Sequence, residues 1–433
     1  MIVIYTILLI VFFGGSLEAY NLVPPLFNWL TEPLIYALLV FSIIKKGIQG
    51  SSVKTPLLLH FIFFLIIGAA SSFVNGRINL HVLFSVRLII RFYILYLAVV
   101  NLELSEKQSK RILLFLIILF LIQIPTAMIK LAIYGQGESA IGTYSVNEGS
   151  LSTMIPLIAI GYIASFYIYS KKLFWSLVMC LGFVAFSLIG GKRALVFLLP
   201  VFGIFIISIL MFTGEFKNRL VKVSIAKTGI IFSLSGLLIV CLGLIFIPTL
   251  NPERKVGGSI DFSHALTFAS EYTTNTVGQT GSLAPTGGRL STSKRIFNVM
   301  TTEGFSVFLF GYGPGSYTDS RFGISRSRMI LQRKLNIIYG VTPLGYIQIE
   351  YGFFGVMTYL FLLLFLLFKI IRGWQAETER YWKTFLLGSS CCSFIMIILW
   401  ACYHPPSMLG DTIPCVFFLL MGIATTRIQN LRS

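Results

Sequence analysis

Runs of about twenty predominantly apolar residues recur along this chain, and each is long enough to cross a bilayer as one helix. Because lipid offers no partners for peptide N–H and C=O groups, such runs must satisfy them internally, which leaves the helix as the default. The runs lie near residues 1–14, 33–45, 55–74, 80–101, 111–134, 151–169, 173–190, 194–213, 228–249, 342–369, 384–402 and 411–426, the second being the shortest between its flanking Pro33 and Lys45. With 56% hydrophobic and only 12% charged residues among 433, there is too little polar surface for a soluble domain of this size. The expectation is an all-α, polytopic membrane protein of about twelve spans.

The first run, MIVIYTILLIVFFGG, has no basic flank before it and no convincing cleavage site after it, although Gly15, Ser16 and Ala19 come close, so a retained helix is expected. All six cysteines fall in or beside apolar runs, with neither a disulfide framework nor metal-type spacing.

The formal charge of +18 is spread over connectors rather than gathered in one basic face, which argues against a nucleic-acid partner. Lys and Arg concentrate in alternate connectors (45–54, 106–111, 171–172, 215–227, 369–383 and the tail), while the others hold Glu18, Glu138, Glu148 and Asp411. The positive-inside rule then predicts cytoplasmic termini and divides the chain into spans 1–249, an external segment 250–341 and spans 342–433. That segment is the only long connector, a length usually tied to function. From Glu253 to Lys334 it carries ten cations against five anions, an excess that calls for an anionic partner, either lipid or substrate. Within it, 291–302 sets Ile296, Phe297, Val299 and Met300 behind a Ser/Thr-rich start, a pattern suited to a short amphipathic helix on the membrane surface.

Arginine pairs bidentately with phosphate and keeps its charge at any physiological pH. Arg289 follows Gly287 and Gly288, and Arg193 follows Gly190, Gly191 and Lys192 at the expected outer mouth of a span, where ordinary headgroup anchoring is the competing reading for Lys192 and Arg193. Arg295 continues the basic run GGRLSTSKR. Gly311, Gly313 and Gly315, ahead of Tyr317, form a turn that either approaches a phosphate or sugar or simply returns the chain to the bilayer. Arg87 and Arg91 share a helix face inside an apolar run, where a charge faces either a substrate cavity or a partner such as Glu350. Acid–base candidates on the outer side are His404, Glu350, Asp319 and Asp411. No HExxH, Walker, GxSxG or DxD signature is present.

Three patches together resemble the bacterial O-antigen ligase and polymerase superfamily, the Wzy-type proteins of surface-polysaccharide assembly: SVNEGSLSTMIPLIAI, LIGGKRALVFLLP, and GGRLSTSKRIFNVM with LFGYGPGSY, followed by PLGYIQIEYGFFG. The likeness covers roughly 140–370, and about a dozen spans with one large outer loop near the C-terminal side match the rest. It implies that Arg193 and Arg289 contact a diphosphate. The implied activity is metal-independent glycosyl transfer between saccharides carried on undecaprenyl diphosphate, without a cofactor, in the bacterial inner membrane among membrane lipids, with a polysaccharide chain-length regulator as partner. Ligases carry a His-Asn pair where this chain has Val341-Thr342-Pro343, so the polymerase branch fits better. A ligase is the nearest alternative. A flippase or other secondary transporter is the second, though it calls for an internal repeat and interrupted helices, neither of which is legible in the sequence.

Overall fold

A computed structural model describes residues 1–76, 80–135, 137, 140–144, 149–191, 194–212, 241, 243–245, 251–253, 255–264, 267, 289–317, 326–335, 341–403 and 410–431. Among the described residues the regular elements are helical: α1 (Ile2–Ala19), a 3-10 turn (Pro25–Leu30), α2 (Thr31–Ile48), α3 (Leu58–Val74), α4 (Leu80–Leu102), α5 (Glu106–Tyr134), α6 (Leu151–Ser170), α7 (Leu173–Ile189), α8 (Ala194–Phe212), α9 (Arg289–Glu303), α10 (Phe305–Phe310), α11 (Arg326–Leu335), α12 (Pro343–Ala376), α13 (Arg380–Cys402) and α14 (Thr412–Asn430). Among the described residues, eight stretches are long and apolar enough to cross a membrane, in α1, α2, α4, α5, α6, α12, α13 and α14, and shorter apolar helices occur in α3, α7 and α8. The chain is therefore a multi-pass membrane protein. The expected run 228–249 lies outside the described residues apart from 241 and 243–245.

Local signals account for the helix ends. Ser105 caps α5 in a reciprocal box with Gln108, and Thr342 caps α12 ahead of Pro343. The short run around 33–45 is lengthened by Thr31 and Glu32 in front and by the 3-10 turn that leads into it.

Among the described residues, the basic connectors 45–54, 106–111, 171–172 and 369–383 and the end of α14 lie at one end of the bundle. There Lys46 and Lys54 both pair with Glu103, Lys45 donates to the Leu102 carbonyl (2.7 Å), and Arg380 reaches the Tyr169 carbonyl. Buried Glu377, in the α12–α13 turn, accepts Arg427 Nε at 2.6 Å together with the N–H groups of Thr378 and Glu379. At the opposite end Ser16 donates to the Thr143 carbonyl (2.6 Å) and Thr412 to that of Val11 (3.1 Å).

The centre is built by α6, α13 and α14, of whose spanning windows 83%, 72% and 89% are buried, against 22% in α2 at the rim. Lipid gives no hydrophobic drive for helices to associate, so small and hydroxylated residues set the contact. Ser389 on α13 hydrogen-bonds Tyr162 of α6 (2.9 Å), and Ser165, Cys391, Cys392 and Ser393 are fully buried beside it. The 250–341 segment adds a smaller second core in which Ile296 and Met300 of α9 meet Leu331 and Leu335 of α11, Tyr312, Tyr317, Val341 and Ile349. The expected amphipathic helix is α9, and a Lys334–Glu303 pair (2.6 Å) ties it to α11.

Candidate functional site

Helix α12 is not continuous. At Gly352 the backbone turns to φ 65°, ψ −163°, about 14 Å along the helix from Pro343 at 1.5 Å per residue. A break frees carbonyls that a regular helix would satisfy four residues later. Here the turn after α10 satisfies them: the Tyr312 N–H donates to the Ile349 carbonyl (2.7 Å) and the Gly313 N–H to that of Glu350 (3.1 Å). Ser71 of α3 donates to the Glu350 carbonyl as well (3.1 Å), and Asn75 donates to the Gly311 carbonyl (2.9 Å). Only glycine fits on either side of this pairing. A Cβ at Gly311 (φ 76°) would lie 2.6 Å from the Glu350 carbonyl carbon, and one at Gly352 would run into the Leu309 carbonyl oxygen.

The Glu350 side chain sits inside the same junction, 2% exposed. Ser85 of α4 donates to its Oε2 at 2.6 Å, and the Tyr317 N–H donates to its Oε1 at 3.0 Å. Tyr317 packs edge-on against Tyr346 and carries the Arg328 guanidinium 5.2 Å from its ring centroid. Burial raises the Tyr317 phenol above its ordinary pKa, opposed by the Gln332 hydrogen bond and the Arg328 charge.

Around this junction runs an aromatic skirt. Phe308 stacks on Phe353 (5.6 Å) and meets Phe297 edge-on (5.3 Å), while Phe310 contacts Phe354. Phe297, Phe305, Phe353 and Phe354 are exposed, as expected of a surface that faces hydrocarbon.

Arg289, the first residue of α9, lies with its guanidinium carbon 4.6 Å from the Tyr403 ring centroid. Tyr403, at the end of α13, donates its hydroxyl to Thr153 of α6 (2.9 Å). Helix α9 is thereby seated on the two central helices. Close by, the end of α7 presses onto α6, since a Cβ at Gly190 would come within 2.5 Å of the Ser152 hydroxyl.

Arg87 and Arg91 do not pair with Glu350. They meet Glu32, at 3.2 Å from Arg87 Nε and 3.3 Å from Arg91, while Arg91 also pairs with Asp411 at 2.6 Å and donates to the Gly410 carbonyl at 3.3 Å. Each arginine thus has a carboxylate within reach, which is how a buried cation avoids an uncompensated desolvation penalty. Asp411, an acid–base candidate from the sequence, is taken up in this cluster.

No family model matches this chain, and no curated protein does. The site must therefore be read from its own chemistry. Of the residues singled out from sequence, Glu350, Gly311, Gly313 and Tyr317 converge at the α12 break, with Gly315 (φ 75°) in the same turn. Arg289 stands over Tyr403, and Arg295 is half-buried on α9. Lys192, Arg193, His404 and Asp319 lie outside the described residues. Among the described residues, no group of three His, Cys, Asp or Glu side chains gathers as a metal site.

Sequence reasoning passed over Glu32, Ser85, Thr153 and Tyr403. For Glu32 a signal existed: it is the only acid in the apolar stretch 26–48, and an unmatched carboxylate in one run answers unmatched arginines in another. Serine in an apolar helix carries no comparable mark.

Proposed function

We propose that this chain polymerises lipid-diphosphate-linked oligosaccharide repeat units, with the 250–341 segment on the outer face of a bacterial cytoplasmic membrane and both termini inside. The observation that carries this reading is the seat of Arg289: a cation at the head of an amphipathic helix, backed by Tyr403, at the end of the bundle away from the described basic connectors. Such a cation would suit a diphosphate at the membrane surface, with its polyprenyl tail along the exposed aromatic skirt.

In the reaction, a hydroxyl oxygen of the acceptor sugar bonds to the donor's anomeric carbon as the bond from that carbon to the diphosphate oxygen breaks. The electron pair leaves with the carrier diphosphate, and the hydroxyl proton passes to a base or to solvent. Charge accumulates on the leaving diphosphate, so a preorganised guanidinium aimed there stabilises the transition state more than the ground state. Loss of one such donor costs roughly 2.7–4 kcal/mol of barrier, or about 100- to 1,000-fold in rate. Arg289→Ala should leave the protein in the membrane and reduce the glycan to single repeats. Arg289→Lys should restore it only in part, because the ammonium keeps the charge without the planar fork. Long chains at ordinary levels in Arg289→Ala would exclude the assignment.

The interrupted α12 favours a second reading, transport, since broken helices line substrate sites in many transporters. Against it, the carbonyls freed at Ile349 and Glu350 already receive N–H groups from the chain's own turn. A ligase remains the nearest enzymatic alternative, and is distinguished by product: glycan moved from its carrier to a different lipid acceptor.

A further inference from the structure

We propose that Glu350 is a positioning residue: its carboxylate latches the GYGPGSY turn onto the break in α12, and so holds the α9–α10 hairpin, with Arg289 at its head, against the bundle. The consequence for catalysis rests on the polymerase reading above; the latch itself does not.

Three features carry the assignment. Both carboxylate oxygens are engaged, one by a hydroxyl on α4 and the other by a backbone N–H of the turn, so the side chain joins a membrane helix to the external segment. Its own carbonyl takes part in the same closure, through Gly313 and Ser71. The carboxylate is buried, 2% exposed, with its oxygens turned to partners within the protein, whereas a general base must come within hydrogen-bond reach of the proton it removes. Charge-assisted bonds are roughly twice as strong as neutral ones, which gives a reason for Glu rather than Gln at a joint inside the bundle.

Connectivity makes the joint matter for Arg289. The α9–α10 hairpin is held at both of its ends: Arg289 rests on Tyr403, and fifteen residues of α9, a Gly304 link and α10 later, the turn is clamped at Glu350. Releasing the second pin frees the hairpin to shift, and a misplacement of about 1 Å at a catalytic group lowers a rate by about a hundredfold.

Two substitutions separate a latch from a base. In Glu350→Gln the side-chain carbonyl oxygen would still accept the Tyr317 N–H while the amide donates to the Ser85 oxygen; in Glu350→Ala the methyl would do neither. The measurement is hydrogen exchange of peptides spanning 311–317 in the full-length protein in lipid nanodiscs, with kcat and KM for a lipid-diphosphate-linked repeat unit taken on the same samples. Glu350→Ala should speed exchange of these amides by at least about tenfold, since bonds to a charged acceptor are lost. It should lower kcat by about a hundredfold with KM within about twofold. Glu350→Gln should keep exchange and kcat within about fivefold of the parent, the loss expected when a charged bond becomes a neutral one.

Unchanged exchange in Glu350→Ala would overturn the latch. So would a Glu350→Gln protein that keeps its amides protected yet turns over no faster than Glu350→Ala, because the charge would then be acting in the chemistry. If Glu350→Ala does not fold, Ser85→Ala decides the matter: it should speed exchange at Tyr317 without lowering the melting temperature by more than one hydrogen bond's worth, and no change at Tyr317 would refute the proposal. If the amides respond as expected but even the parent protein lengthens no glycan, the polymerase reading fails and the latch stands.

Discussion

Replacing Gly311 with Ala tests the junction between the turn after α10 and the break in α12. At φ 76°, ψ −167° the backbone occupies a region almost exclusive to glycine, and holding another residue there costs about 1–3 kcal/mol. The added methyl would also lie 2.6 Å from the Glu350 carbonyl carbon and 2.7 Å from both Gly352 N and the Ile349 oxygen. These are backbone atoms that no rotamer change can move aside, so overpacking adds about 1–3 kcal/mol more. The sum, about 2–6 kcal/mol, equals or exceeds what the two backbone hydrogen bonds return at about 1 kcal/mol each, so those two bonds should open rather than adjust. Gly304→Ala is the control: its φ of 134° is equally strained, but nothing lies within 4 Å of the new methyl, so only the backbone term applies. Exchange of the Tyr312 and Gly313 amides gives the local opening free energy for each variant. Gly311→Ala should lower it by about 1–3 kcal/mol more than Gly304→Ala lowers its own neighbours. Equal effects, or protected amides in Gly311→Ala, would refute the close backbone pairing.

Other perturbations address the rest of the bundle. Arg91→Met should destabilise the protein by about 3–5 kcal/mol in thermal unfolding, because it leaves Asp411 and Glu32 short of a partner in a buried cluster. At the basic end, burial raises the Glu377 carboxyl, but Arg427 and the N–H groups of Glu379 and Thr378 outweigh it and hold the group below the ordinary carboxylate range. A depressed folded pKa means the stabilisation is fully present above the unfolded value and is lost as pH falls through the folded one. Arg427→Ala should therefore lower stability by about 2 kcal/mol near neutral pH, intermediate between buried and exposed pairs because Arg427 is 21% exposed, and the gap to the parent should close as pH falls through that depressed folded value. Gly203→Ala, inside α8 with nothing within 4 Å of the new methyl, should stabilise by about 0.5–1 kcal/mol in the same assay.

The span pattern was legible because helix length and apolar content are dictated by the bilayer. Each expected run outside 228–249 coincides with a helix, and the Ser/Thr-rich start at 291 marks α9 to within two residues. The break in α12 was not legible. IEYGFFG reads as uninterrupted helix, since glycine tolerates helical and left-handed φ alike and nothing local tells which is used. Its cause lies about forty residues away in the chain, in the turn whose N–H groups replace the missing helical bonds. The same holds for partners. Arg91 needed an acid, and the sequence suggested Glu350 without a register to test it; helix packing delivers Asp411 and Glu32, and gives Glu350 to Ser85 instead. Arg289 was legible as a cation in a glycine-led basic run, but not its seat on Tyr403, which depends on where α13 ends.

The central claim is that this membrane protein lengthens a lipid-linked glycan using an external cation. It is tested most directly by placing the purified full chain in liposomes with a single defined oligosaccharide on a polyprenyl diphosphate carrier, and resolving the products by size. A polymerase yields a ladder whose steps are whole repeats, still attached to carrier, that collapses to the starting unit in Arg289→Ala. A substrate that stays at one repeat with the parent protein, or crosses the bilayer unchanged, would contradict that claim.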